Sequence, residues 1–178
     1  MSGNYGIGYT FNGKIFFFDL EDYDKIKNYS WYINSGGYVQ SHLPMRNDFI
    51  LQHRIIMNPN EGNIIDHINH LKFDNRKCNL RECGMSQNAM NKKNTNKSSG
   101  YTGVSWQDNM NAWRARIKYN NKEFTLGYFD SIENAIKIRK EAEEKYFGEF
   151  SYDNSMAKAK QLGIPIISEG DFIKMIES

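Results

Sequence analysis

The pair Asp66-His67 is the part of this 178-residue sequence best equipped for chemistry. Around it stand Asn69 and His70, then Asp74-Asn75-Arg76, Asn79-Leu80-Arg81 and Ser86-Gln87-Asn88. Hydrolysis of a phosphodiester needs what such residues supply. A hard divalent cation must neutralise the phosphate and the leaving oxygen, and it takes oxygen ligands of the Asp or Asn type. A base titrating near neutrality must accept a proton from water, the natural work of a histidine. Adjacent residues on a strand point to opposite faces, so one local bend sets Asp66 as metal ligand and His67 as base around a single phosphate. Asn88, on a following helix, offers the second oxygen ligand. An Asp/Asn site of this kind accepts Mg²⁺ and Mn²⁺ alike.

The remaining candidates are weaker. His42 reads as a surface or satisfied core residue, and His53 either packs beneath the site or touches DNA. His70 is a further ligand only if another group supports it. Cys78 and Cys83 are too few for a disulfide framework or a four-thiolate zinc site, and they read as small buried hydrophobes.

These residues must be positioned by folded elements. Residues 1–62 read as a β-rich N-terminal unit, with the strand-forming run 14–18 after an Asn12-Gly13 turn and a short helix over 20–28. Strands at 30–33 and 38–42 flank Gly36-Gly37, a fourth strand covers 49–57, and the turn cluster 58–62 closes the unit. Residues 63–92 form a polar module, read as a short strand, a long loop and a helix near 85–92. Residues 93–99 are a basic linker. Residues 100–150 show three strand patterns, at 104–107, 112–119 and 123–129, then a helical one from Asp130 to Gly148. The tail, 151–178, reads as αβα-like and resembles the last quarter of a BRCT module, too little to carry that module's function.

The formal charge of +2 is unevenly spread. Residues 1–50 carry four Lys/Arg against five Asp/Glu, whereas 51–99 carry eight against four and 91–129 seven against two. A basic middle between near-neutral ends suits a polyanion. In Trp113-Arg114-Ala115-Arg116-Ile117-Lys118-Tyr119 the alternation puts Arg114, Arg116 and Lys118 on one face and the apolar residues on the other. The apolar row can pack on the helix, leaving the cations to meet a DNA major groove. Trp106, on the neighbouring strand, either stacks on DNA or joins the core. No stretch approaches 18 consecutive apolar residues, which excludes a membrane span, and the N-terminus lacks the pattern of a secretory signal. The expected compartment is reducing cytoplasm, that of a host cell if the gene belongs to a bacteriophage.

Two resemblances add to this reading. The segments Leu51-Gln52-His53-Arg54, Ile65-Asp66-His67-Ile68-Asn69, Asp74 through Leu80 and Ser86-Gln87-Asn88 resemble the HNH nucleases, in particular phage-type HNH homing endonucleases with a ββα-metal motif. That resemblance implies His67 as general base, Asp66 and Asn88 as ligands of one Mg²⁺-like ion, and Asn79 as the loop-bracing middle residue. Asn88 stands where other members carry His, a known variant. Residues 99–150, through Ser99-Gly100-Tyr101-Thr102-Gly103-Val104, Trp113 to Ile117, Leu126 to Asp130 and Tyr146-Phe147-Gly148, resemble the APETALA/ethylene-response type of DNA-binding domain.

The expected fold class is α+β: a ββα-metal module and a three-stranded antiparallel sheet with one helix, preceded by the β-rich unit. The expected activity is site-specific DNA hydrolysis of the homing type. It acts on double-stranded DNA, needs no small-molecule cofactor and no oligomer, and nicks one strand per site to leave 5′-phosphate and 3′-hydroxyl ends. One rival reading is a DNA-binding regulator that keeps the HNH module only as scaffold, and the other is an RNA- or protein-binding module using the same basic surface.

Overall fold

A computed structural model describes residues 4–43, 45, 47–91, 99–164 and 166. Two compact units emerge, one made of Met1–Met85 with Met156–Ser178, the other of Ser86–Ser155. Most of the basic linker, and the tail beyond residue 166, lie outside the described residues.

The first unit opens with an antiparallel hairpin, β1 (Tyr5–Tyr9) and β2 (Ile15–Asp19). Strand β1 alternates with glycine for a physical reason. Gly6 lies across from Phe18 and Gly8 from Phe16, and those buried rings fold over the glycines. A Cβ on Gly6 would sit 2.5 Å from the tip of the Phe18 ring, and one on Gly8 would collide with Phe16. After the short helix α1 (Tyr23–Ile26) comes a three-stranded sheet of β3 (Tyr32–Ile33), β4 (Val39–Leu43) and β5 (Asp48–Leu51), with β4 in the middle.

The run expected as one strand over 49–57 is instead the end of β5 followed by helix α2 (Gln52–Met57). The helix is favoured because it turns Gln52, His53 and Ile56 inward together, spacings that one strand face cannot bury. It ends at Asn58, whose backbone is left-handed and whose N–H donates to Arg54 O at 2.9 Å.

Next come β6 (Ile64–His67), β7 (Leu80–Cys83) and helix α3 (Met85–Met90), with β6 and β7 antiparallel. The strand β7 replaces part of the expected long loop. One core joins these strands to the N-terminal elements: Phe16, Phe17, Phe18, Ile26, Trp31, Val39 and Ile56 pack with Ile65, Leu71, Phe73 and Leu80. The 68–79 loop is stitched to β2 as well. Phe17 N–H donates to Phe73 O and Asn75 N–H donates to Phe17 O, both at 2.9 Å. Cys83 is buried and its thiol is pushed up to about 11, first by burial and then by the Asp66 charge. Cys78 departs from expectation: it lies exposed in a 3₁₀ turn whose inward residue is Asn79.

The second unit is a sheet with strand order β10 (Lys122–Phe129), β9 (Ala112–Tyr119), β8 (Val104–Gln107), crossed by helix α4 (Ile132–Phe147). Ser131 caps α4 by accepting from Asn134 N–H at 3.2 Å, and Gly148, with a positive φ of 52°, ends it. Tyr101, Val104, Ala115 and Ala135 form its buried centre, with Trp113, Leu126, Phe129, Ile132 and Ile136 around them. Helix α5 (Tyr152–Gln161) follows. None of the described helices is long and apolar enough to cross a membrane.

Candidate active site

At the end of β6, Asp66 and His67 are both buried, 7% and 4% exposed. Pairing with β7 sets Arg81 across from Asp66, and its guanidinium donates twice to Asp66 Oδ2, from Nε at 2.9 Å and Nη2 at 2.7 Å. The chain then turns through the 68–79 loop, with His70 exposed at a left-handed backbone position (φ 64°).

Asn79 spans that loop from within. Fully buried, it accepts from Asn69 N–H through Oδ1 at 3.1 Å and donates from Nδ2 to Asp74 O at 2.9 Å. Its own carbonyl accepts from Ile68 N–H at 2.9 Å. Asn69 Oδ1 accepts from Leu71 N–H at 2.8 Å, and Arg76 clamps Asp74 with two bonds of 2.8 and 2.7 Å. Asparagine suits this role because one amide gives and takes at once, so two buried backbone groups are satisfied by a single side chain.

The imidazole of His67 is boxed in by rings. His53 meets it edge to face at 5.1 Å between centroids, and Tyr38 lies 5.9 Å from it and 5.5 Å from His53. His53 therefore packs beneath the site, on the inward side of α2. Lys72 reaches over the Tyr38 ring, 4.6 Å from its centroid, and donates to Gly36 O at 2.7 Å. Burial pushes His53 down to about 3, helped by the neighbouring His67 ring and Arg54. Burial also lowers His67, with the Asn75 hydrogen bond and the charges of Asp74 and Asp66 pulling the other way. Both imidazoles are neutral at pH 7. A neutral imidazole is what a base must be before it can take a proton.

Two residues that sequence reasoning left without a role complete the surroundings. His67 Nε2 lies 2.9 Å from Asn75 Oδ1, and Asn75 Nδ2 donates to Gln52 Oε1 at 2.7 Å. Both amides are fully buried. Buried Gln and Asn are uncommon, but nothing local announces burial, and a contact spanning 23 residues leaves no periodic trace.

No group of three or more His, Cys, Asp or Glu among the described residues is arranged to hold a metal ion. The expected donors, Asp66 and Asn88, fall in different units, and each offers oxygen of the kind a hard cation takes. Asn88 stands half-buried on α3 and belongs to the second unit.

In the second unit the β9 alternation is as its sequence reads. Ala115 and Ile117 are buried toward α4, and Arg114, Arg116 and Lys118 share the other sheet face. Register adds Ser105, Thr125 and Tyr128 to that face, and Glu123 opposite Lys118. Arg116 and Glu123 pair at 2.7 Å, each nearly half exposed. Trp106 pairs with Trp113, edge-on at 5.4 Å, so it stands on the face opposite the cations.

The chain is 28% identical over 152 residues to an uncharacterized HNH endonuclease of Acanthamoeba polyphaga mimivirus, covering 81% of this chain and 76% of that relative. No family model matches the sequence. No solved structure matches the fold.

Proposed function

We propose that this chain is a site-specific DNA endonuclease of the HNH homing type. The observation that carries the reading is His67: a buried imidazole one residue from a buried carboxylate, at the head of a loop that Asn79 ties down from inside. Similarity to a protein named as an HNH endonuclease supports the same reading.

In this reading His67 removes a proton from the water that attacks phosphorus. Asp66 supplies a carboxylate ligand and Asn88 an amide oxygen for one divalent ion, Mg²⁺ or Mn²⁺. That ion, when bound, neutralises charge on the phosphate and the leaving oxygen. Arg81 holds the Asp66 carboxylate in place, and Asn79 keeps the loop between the two strands from opening. Arg114, Arg116 and Lys118 meet duplex DNA through the exposed face of the second unit's sheet, while Trp106, 39% exposed, stands beside Trp113 on the other face. One such site cuts one strand, so a single copy of the chain nicks.

The test is conversion of supercoiled plasmid to open circle, with and without Mg²⁺, for wild type beside His67→Ala. Metal-dependent nicking that His67→Ala abolishes, with duplex binding retained, is the expected result. Tight duplex binding without cleavage of any substrate would overturn it in favour of a DNA-binding regulator.

A further inference from the structure

Strand β1 reads Tyr5-Gly6-Ile7-Gly8-Tyr9, the same from either end. It has β2 on one side and, among the described residues, no strand on the other. The backbone groups on that open side follow from the hairpin's hydrogen bonds. Thr10 N–H donates to Lys14 O at 2.8 Å and Leu20 N–H donates to Asn4 O at 3.0 Å, one at each end of the ladder. Antiparallel pairs alternate between bonded and unbonded, so between those ends Gly6 bonds to Phe18 and Gly8 to Phe16. The N–H and C=O groups of Tyr5, Ile7 and Tyr9 therefore point away from β2. Phe17, opposite Ile7, fixes the same phase from the other edge: its N–H donates to Phe73 O and its carbonyl accepts from Asn75 N–H.

An open edge templates pairing unless something blunts it. The usual devices are missing from β1. It holds no Pro, no bulge and no charged side chain, and the first charged side chain of the sequence is Lys14. Tyr5, Ile7 and Tyr9 share one face and are 48, 44 and 70% exposed. Apolar surface thus lies beside unpaired backbone.

The palindrome selects the occupant. A two-fold interface needs a patch complementary to itself. Two copies of β1, antiparallel about an axis through Ile7, set Ile7 against Ile7 and Tyr5 against Tyr9 of the second copy. Every such pair joins residues whose N–H and C=O groups point at each other, so each exchanges both its bonds. A shift of one residue sets outward groups against inward ones, and a shift of two leaves a tyrosine without its partner. Glycine faces glycine between them, so no Cβ on that side hinders the approach.

We propose that β1 is a self-association edge: two copies of the chain pair their β1 strands antiparallel about Ile7, joining two hairpins into one four-stranded sheet. Five residues a side make a small interface, of the transient and concentration-dependent class. The pair carries two candidate sites. Their use on two DNA strands rests on the nuclease reading, whereas the pairing needs neither DNA nor cleavage.

Sedimentation equilibrium of the full chain without DNA, over a rising concentration series, tests it. Wild type is expected to pass from monomer to dimer and no further, because the two-fold axis closes the interface. Ile7→Lys sets like charges together at the axis and is expected to weaken association more than about tenfold. Two double variants keep the test decisive if that chain misfolds. Tyr5→Lys with Tyr9→Glu places opposite charges across the interface and is expected to retain the dimer. Tyr5→Lys with Tyr9→Lys places like charges there and is expected to lose it. Both carry the same change opposite Asp19, so its effect within the hairpin is common to them. A wild type monomeric throughout, a folded Ile7→Lys chain that associates like wild type, or double variants that associate equally, overturns the proposal. Plasmid nicking is the separate readout. Dimerisation of a chain that cuts no DNA would sustain the pairing and sink the nuclease reading; nicking by a chain monomeric throughout would do the reverse.

Discussion

The rings of His53 and His67 meet edge to face, centroids 5.1 Å apart and planes at 89°. One comes from the helix after β5, the other from the end of β6, and neither reaches much solvent. Burial keeps both neutral, and two neutral imidazoles can share a wall where two imidazolium ions would repel.

That relationship makes the fold sensitive to acid. His53 titrates near 3 in the folded chain and near 6.5 when unfolded, so below pH 6.5 the unfolded chain binds a proton that the native one does not. Stability is complete above that pH and falls as pH drops toward 3. From His53 alone the loss between pH 7 and pH 4 is roughly 3 kcal/mol. Urea midpoints across that range measure it, and His53→Phe should flatten the slope. A midpoint that falls equally in both proteins would place the acid sensitivity elsewhere.

Asn79→Ala should destabilise the first unit by about 2–4 kcal/mol, because it strands the buried Asn69 N–H and Asp74 carbonyl together. Urea unfolding followed by Trp31 fluorescence is the measurement. A change under about 0.5 kcal/mol would mean that water replaces both bonds and that the loop does not depend on this side chain.

Gly8→Ala should destabilise the hairpin by about 1–3 kcal/mol, since the added methyl must displace the buried Phe16 ring. Gly13→Ala, at the open turn of the same hairpin, meets no neighbouring atom and separates backbone strain from crowding. Thermal melts of the two variants side by side make the comparison, and equal shifts would remove the packing argument.

These cases mark what the sequence makes legible. The β9 row was readable because strand period alone sorts Arg114, Arg116 and Lys118 from Ala115 and Ile117. Helix α4 was readable from its 3.6-residue period between Asp130 and Gly148. Strand β1 was not, because glycine has low β-propensity and the reason for Gly6 and Gly8 lies on another strand. The 49–57 run misleads because a short apolar stretch fits a strand or a buried helix equally well. At the candidate site, Asp66 and His67 are visible by residue type. Gln52 and Asn75 acquire their meaning only when α2 and the 68–79 loop are brought together.

The cationic face of the second unit gives the last expectation. Glu123 lies opposite Lys118 in the register and pairs with Arg116 at 2.7 Å, so one carboxylate stands among the three cations offered to DNA. Both partners are nearly half exposed, where such a pair is worth little and parts readily. Lys118→Ala should weaken duplex binding and reduce the slope of log affinity against log salt by about 0.9, the loss of one phosphate contact. Glu123→Gln should act in the opposite sense, strengthening binding and steepening the slope, because it removes repulsion toward phosphate and releases Arg116. Trp106→Ala should leave the salt slope alone and lower stability instead, since its ring packs on Trp113 across the sheet from the cations. Titrations of a fluorescent duplex at several salt concentrations separate these outcomes. A slope unchanged in both Lys118→Ala and Glu123→Gln would show that DNA lies on some other surface.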